Sequence, residues 1–168
     1  MKPVSRAVLV LAAALLAACA AFQGPQLALG QTEADVVAQL GPPSDRFAMP
    51  DGVQRLQWVT GPLGRQTWMV DIGPDGRSRW FAQVLTRAHL FEFAQRAQGM
   101  TIPQLLRELG RPAEQRRNGW GSGQTWSWRY VTYDCLWWQV SIDKDGKVTG
   151  AGEGIDPLCD VDDRPSLL

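Results

Sequence analysis

The sequence contains little of the chemistry that most enzymes and metal sites use. It has one histidine, His89, and three cysteines among 168 residues. A zinc site needs a cluster of Cys and His side chains, and His89 is far in sequence from the last two cysteines. A Ser-His-Asp triad would also have to use His89, which lies in the first turn of a predicted helix, where a capping or exposed histidine is usual. The sequence therefore predicts a protein that is not an enzyme and that uses neither a metal nor another cofactor. An envelope hydrolase is the remote alternative.

An excess of positive charge is also missing. The 17 Lys and Arg residues balance the 17 Asp and Glu residues, and two of the basic ones, Lys2 and Arg6, belong to an N-terminal segment that we expect to be removed. Nucleic-acid binding draws most of its affinity from basic side chains on the phosphate backbone, so no nucleic acid is expected as a partner. Beyond residue 19, no apolar run approaches the length of a membrane-spanning helix.

The one long apolar run is at the N-terminus. Lys2 and Arg6 precede the apolar residues 7–16, and Leu16-Ala17-Ala18-Cys19 follows. Positive charge, a short apolar run and then small residues are typical of a signal peptide, here residues 1–18. An ordinary cleavable signal, or a short buried helix that contains a cysteine, would show part of this pattern.

The Leu-Ala-Ala-Cys tetrapeptide resembles the lipobox of bacterial lipoproteins. This resemblance implies that Cys19 carries a diacylglyceryl group and, after cleavage, an acyl chain such as palmitate on its amino group. Several acyl chains bury many methylenes at about 0.8 kcal/mol each, which is enough for stable anchoring. The residue after the cysteine is Ala20 rather than Asp, which in lipoproteins of two-membrane bacteria usually means transfer to the outer membrane. We expect residues 19–29 to be a lipidated tether at its periplasmic face.

The two other cysteines, Cys135 and Cys159, are predicted to form a disulfide. Thiols that are exported to an oxidising periplasm commonly pair. Closing a loop of about 25 residues would stabilise the fold by roughly 3 kcal/mol. Two independent buried thiols are the alternative.

The mature sequence repeats itself. Gly30-Gln31-Thr32 recurs as Gly99-Met100-Thr101, at an offset of 69 residues, and Leu40-Gly41 recurs as Leu109-Gly110. Trp58 and Trp68 recur as Trp128 and Trp138, at an offset of 70. An ordered series with a single step in its offset indicates duplication. We predict a first unit at residues 30–85, a second at 86–160 that includes a linking helix at 86–98, and a polar tail at 161–168.

Each unit is predicted to begin with a helix of about eight residues. Thr32 with Asp35, and Thr101 with Gln104, have the spacing of a capping box. Gly41 and Gly110 stand where a helix needs a left-handed C-cap. Alternation of apolar and polar residues then predicts strands, and Asp75-Gly76 and Asp145-Gly146 predict hairpin turns. By this alternation, five tryptophans face the helices: Trp58, Trp68, Trp126, Trp128 and Trp138. The expected fold class is α+β: two tandem units, each with one or two short helices packed on a three-stranded antiparallel meander.

These features together resemble a known family. Gly-x-Thr, a short amphipathic helix, Leu-Gly-x-Pro, a Trp-bearing strand and a strand that ends in Asp-x-x-Gly are similar to the BamE/SmpA/OmlA-type small outer-membrane lipoproteins. The resemblance runs twice, from about Gly30 to Gly76 and from about Gly99 to Gly146. It implies a non-enzymatic role in envelope maintenance or outer-membrane protein assembly, with the barrel-assembly machinery as a candidate partner. Two units in tandem are also similar to the fold of the β-lactamase-inhibitor proteins, which implies an alternative role as an inhibitor that clamps a periplasmic enzyme.

A binding face is predicted on the side of the sheet away from the helices. Trp137 alternates with the helix-facing Trp138, and Arg129 lies on the neighbouring strand. An aromatic ring beside an arginine on a polar face is typical of a protein-binding hot spot. Trp137 could instead cover the disulfide or pack between the units. Trp120, at a predicted hairpin tip, is a second candidate for partner binding.

Overall fold

The computed structural model describes residues 25–119 and 123–158. Cys19, Trp120 and Cys159 lie outside this part of the chain, as do the signal peptide and the polar tail. Lipidation, the disulfide and a role for Trp120 therefore remain predictions.

The described residues form an α+β fold of two similar halves. The first half consists of a helix and a four-stranded sheet, sheet 1: α1 (Glu33–Leu40), β1 (Asp45–Ala48), β2 (Gln54–Thr60), β3 (Gln66–Ile72) and β4 (Ser78–Gln83). The second half has two helices and a second four-stranded sheet, sheet 2: α2 (Arg87–Ala94), α3 (Ile102–Leu109), β5 (Glu114–Arg117), β6 (Gly123–Arg129), β7 (Leu136–Asp143) and β8 (Val148–Ile155). Both sheets are antiparallel, and in both the strands lie side by side in chain order.

The predicted number of strands is wrong, because each sheet has four strands and not three. β1 and β5 add a four-residue strand at one edge of each sheet, paired with β2 and with β6. The sequence gives little sign of them because such strands are held mainly by backbone hydrogen bonds. The four residues of β5 (Glu-Gln-Arg-Arg) include no apolar side chain that could mark an alternation.

The helix boundaries follow the capping signals. In α1 the hydroxyl of Thr32 accepts from the backbone N–H of Asp35, and the Asp35 carboxylate accepts from the backbone N–H of Thr32. Thr101 and Gln104 form the same capping box in α3. Gly41 ends α1 with φ 77° and ψ −171°. This positive φ suits glycine, but it is not the left-handed helical conformation that was predicted.

The two halves share register as well as strand order. Trp58 pairs with Trp68 on sheet 1, and Trp128 pairs with Trp138 on sheet 2. In each half the tryptophan of the second strand anchors the end of a helix. The indole N–H of Trp58 donates to the Gly41 carbonyl at 2.8 Å, and that of Trp128 donates to the Gly110 carbonyl at 3.1 Å. The same indole-to-carbonyl hydrogen bond therefore fixes a helix on its sheet in each half.

Packing arranges these elements in alternating layers. One face of sheet 1 packs on α1 in a small core built from Val36, Leu56, Trp58, Val70 and Ile72. The other face supplies Met69 and Val84 to a larger core that also contains Leu90 and Phe93 of α2, Leu105 of α3 and the tryptophans of sheet 2. The order of layers is α1, sheet 1, the α2–α3 pair and sheet 2. Sheet 1 is therefore covered on both faces, whereas sheet 2 is covered by helices on one.

Polar contacts fix the position of α3 on sheet 1. The Arg55 guanidinium is paired with the Asp71 carboxylate at 2.6 Å. It also donates to the backbone carbonyl of Arg107, in the last turn of α3, at 2.8 Å. The side-chain oxygen of Gln57 accepts from the backbone N–H of Arg111 at 3.2 Å. Arg55 and Asp71 are both nearly buried, so this charge-assisted contact helps to fix the junction between the halves.

None of the helices in the described part of the chain is both long enough and apolar enough to cross a bilayer.

Candidate functional site

The candidate site is the face of sheet 2 that points away from α2 and α3, which we call the outer face. Trp126, Trp128 and Trp138 point into the core, so the alternating positions on the same strands form the opposite side. The outer face therefore carries polar side chains on β6 and β7 and glycines on β8: Thr125, Ser127, Arg129, Trp137, Gln139, Ser141, Gly150, Gly152 and Gly154.

The glycines leave the backbone of β8 open to the surroundings. A Cβ atom added at Gly150 or at Gly152 would meet nothing within 4 Å. Gly154 differs because the Gln139 side chain lies over it, and an added Cβ would come within 2.3 Å of the Gln139 Oε1 atom. A shallow depression of about 240 Å³ runs over Gln139, Ser141 and the open glycines. Glu153 lies at its border, and its other polar side chains, Gln139 and Ser141, are neutral donors and acceptors, so it can form hydrogen bonds.

The prediction that Trp137 stands exposed on this face is wrong. Its side chain is only 2% exposed, and the Arg129 guanidinium lies 5.3 Å from the centre of the indole ring. Its cross-strand partner on β8 is Gly154. Packing between the halves is also wrong, because the halves meet on the opposite face of sheet 2. The alternation of residues predicts the correct face of the sheet for Trp137, but it does not predict how deeply the side chain is buried.

Arg129 acts as a clamp and is not a free binding group. Its guanidinium donates to both carboxylate oxygens of Asp156, at 2.8 and 3.1 Å, and Asp156 is 3% exposed. Burial raises the pKa of Asp156, but the hydrogen bonds from Arg129 and from the Leu158 backbone outweigh it, so the pKa lies below its ordinary value. The Asp156 backbone N–H also donates to the Cys135 carbonyl at 3.0 Å. These contacts fasten the end of β8 to the start of β7.

Cys135 lies in the connection before β7 with φ 51°. Only this member of the predicted disulfide is described, so the pairing with Cys159 stays a prediction.

His89 lies in the first turn of α2 as predicted, but its side chain neither caps the helix nor stands fully exposed. Its backbone N–H donates to the hydroxyl of Thr86, the N-cap of α2, at 3.3 Å. The ring is half-buried, and burial lowers its pKa, with Arg96 and Arg55 acting in the same direction against Glu108. Its Nε2 atom is buried without a hydrogen-bond partner among the described residues. The ring therefore belongs to the junction between the halves and does not lie on the outer face.

Acidic and metal-ligating side chains do not converge at the outer face. No group of three or more His, Cys, Asp or Glu side chains in the described ranges is placed to hold a metal ion.

The open backbone of β8 could have been found in the sequence. Aligned at the offset of 70, Gly150 and Gly152 stand where the first unit has Trp80 and Ala82. The replacement of an indole by a glycine between two otherwise similar units marks the position where their surroundings differ.

Comparison with protein-family models, with curated proteins and with solved structures finds no match to this chain.

Proposed function

We propose that this chain is an exported lipoprotein, anchored through Cys19 at the periplasmic face of the outer membrane, whose mature part binds a protein in envelope maintenance or outer-membrane protein assembly. The order of charge, apolar run and Leu-Ala-Ala-Cys at the N-terminus supports the export and the anchor. The motif resemblance to BamE-type lipoproteins, which runs through both units, supports the non-catalytic role.

The observation that carries the binding role is the contrast between two equivalent faces. On sheet 1, the face that holds Met69 and Ala82 is covered by α2 and α3. On sheet 2, the equivalent positions are Gln139 and Gly152, and no helix of the described chain covers them. This is the place where a partner protein can occupy the position that a further helical layer would take.

The outer face is suited to a polar partner. Thr125, Gln139 and Ser141 supply hydroxyl and amide groups, and the glycines let another backbone approach closely. A contact made this way draws its affinity from hydrogen bonds and shape more than from apolar burial.

Site-specific photocrosslinking of the intact lipoprotein in its native envelope tests this proposal. A photoreactive residue at Gly150 should give a defined protein adduct, whereas the same residue at Lys144, on the β7–β8 turn, should not. Gly150→Trp introduces the residue of the first unit and should reduce adduct formation from a probe at Ser141 by about tenfold. Because an added Cβ at Gly150 meets nothing within 4 Å, the variant should keep its thermal midpoint.

Two results would contradict the proposal in different ways. If mass spectrometry of the membrane fraction shows Cys19 without acyl chains, the anchor is wrong. If Gly150 and Lys144 give the same adducts in the same amounts, the outer face is not the binding surface.

A further inference from the structure

The exposed apolar side chains are concentrated at one end of the molecule. We call this the apolar end; it carries the β2–β3 and β6–β7 connections. In the described part of the chain, eight large apolar side chains are exposed, and only Leu29 lies elsewhere. The other seven belong to the apolar end: Val59, Leu63, Phe91, Val131, Tyr133, Ile155 and Leu158.

The strand register brings these residues together. Leu63 lies between β2 and β3, and Tyr133 lies between β6 and β7, so each marks the same end of its own sheet. Ile155 pairs with Leu136 at the beginning of β7. A cleft of about 160 Å³, lined by Val59, Leu63 and Leu85 from the first half and by Pro112, Ala113 and Trp128 from the second, joins the two sheets at this end.

The loop that presents Leu63 is conformationally costly. Leu63 has φ 58°, a left-handed conformation that a bulky residue rarely adopts, and its side chain is 60% exposed. Neither the backbone nor the burial of the side chain favours leucine here. A large apolar residue held outward by a strained turn is what a contact with another molecule would require.

Arginines border the apolar end. The side chain of Arg87 is 60% exposed, but that of its partner Glu153 is only 19% exposed. Arg111 is 70% exposed and its partner Asp45 only 15%. In both pairs the guanidinium faces outward and the carboxylate faces inward. The rim of the apolar end is therefore complementary to negative charge.

The short tether places this end away from the anchoring membrane. The chain enters sheet 1 at the opposite end, where the Gly30 N–H donates to the Ser78 carbonyl at 2.8 Å. The Gln31 side chain holds the Gln26 carbonyl near that point. The seven residues of β3 separate that point from the Leu63 loop by about 20 Å. The six residue steps from Cys19 to Pro25 can span only about 20 Å when fully extended. If Cys19 is lipidated, as the proposed function requires, the entry end is held near the bilayer and the apolar end faces the periplasm.

We propose that the apolar end is a second docking surface, distinct from the outer face of sheet 2, and that it takes a periplasmic protein whose contact surface has apolar side chains bordered by carboxylates. Exposed apolar patches with a polar rim are typical of protein interfaces, and arginine and tyrosine are enriched there. The orientation of the tether favours a protein over the lipid surface. The partner's carboxylates would meet the outward guanidinium groups of Arg87 and Arg111.

The experiment uses the intact lipoprotein in native envelope, with a photoreactive residue at Tyr133 and, as the control, at Asp75 on the β3–β4 turn. Tyr133 is fully exposed, so its replacement should leave the fold intact. We expect an adduct from Tyr133 with one identified protein, absent from Asp75. Leu63→Asp should reduce its yield by about tenfold. High salt should weaken it as well, because the arginine rim is exposed to solvent.

A matched variant separates loss of contact from loss of fold. Leu63→Gly relieves the positive φ and removes the side chain, so it should keep or raise the thermal midpoint and still lose the adduct. An identified partner whose contact surface carries no carboxylates, or equal adducts from Tyr133 and Asp75, would overturn the proposal.

A vesicle-binding experiment tests whether the apolar end binds a lipid surface instead of a protein. The mature chain with Cys19→Ser, mixed with vesicles of phosphatidylethanolamine and phosphatidylglycerol, should stay in solution. Vesicle binding that Leu63→Asp abolishes would assign the apolar end to a lipid surface and overturn the proposal. Acylation of Cys19 is read separately by mass, so failure of the anchor can be told apart from failure of the apolar end.

Discussion

Sheet 1 and sheet 2 have the same strand order and the same register, but they differ in what lies against their second faces. On sheet 1 this face carries Met69 and Val84, both fully buried under α2 and α3. On sheet 2 the equivalent residues are Gln139 and Gly154. The backbone design is the same, so the difference lies in the side chains alone. In the first unit this face of the sheet packs on the next layer, the α2–α3 pair. In the second unit the equivalent face carries no further layer of the described chain.

The strongest test of this comparison exchanges the residues of the two faces. Met69→Gln puts an amide into a fully buried site and should lower the free energy of unfolding by about 3 kcal/mol. The reciprocal change, Gln139→Met, should alter it by less than about 1 kcal/mol, because the Gln139 side chain is only partly buried. Urea unfolding measures both. Equal losses from the two changes would show that the outer face of sheet 2 is covered in the folded protein.

The next largest loss of unfolding free energy is expected from breaking the ion pair between Arg129 and Asp156. Asp156→Ala leaves the Arg129 guanidinium, 15% exposed, without its carboxylate, and we expect a loss of about 3 kcal/mol or slightly less. The control is Asp145→Ala, whose ion pair with Lys144 is exposed and should be worth less than about 0.5 kcal/mol. A thermal midpoint that Asp156→Ala leaves unchanged would mean that the end of β8 is not held by this pair.

A smaller effect is expected from pH at the junction of the halves. Burial lowers the pKa of His89 below its ordinary 6.5, so on acidification the unfolded chain takes up the proton first. The free energy of unfolding should therefore fall as the pH drops through about 6.5 and continue to fall down to the lower pKa of the folded state. Glu108 and Glu92 oppose this shift, and Arg96 and Arg55 reinforce it.

His89→Gln is the matched variant for this titration, since glutamine is polar but does not titrate. The slope of unfolding free energy against pH should become flatter in the variant between about pH 5 and 7. An unchanged slope would place the origin of the pH dependence elsewhere.

The helices and the central strands could be predicted from the sequence because their signals are local. Thr32 and Thr101 begin helices, Gly41 and Gly110 end them, and the paired tryptophans show the alternation of a sheet with one apolar face. β1 and β5 could not be predicted in this way, because their residues are held by the register of a neighbouring strand.

The candidate site was harder to predict than the fold. The alternation on β7 correctly placed Trp137 opposite the core tryptophans, but its burial depends on side chains such as Arg129 that are near it only in the folded chain. The clamp between Arg129 and Asp156 joins residues 27 positions apart, and no local spacing marks it. The seven residues of the apolar end come from four segments of the chain, so only the folded structure brings them together.

The glycines and polar side chains of sheet 2 have a consequence for assembly. An apolar face at that position would invite a helical layer from a neighbouring molecule, whose own free face could then receive another. Such head-to-tail contacts do not close on themselves and grow into filaments. If the chain is anchored at a membrane, as proposed, it would meet its own copies often. Gly150, Gly152 and Gln139 offer no such apolar face to a helix of a second copy.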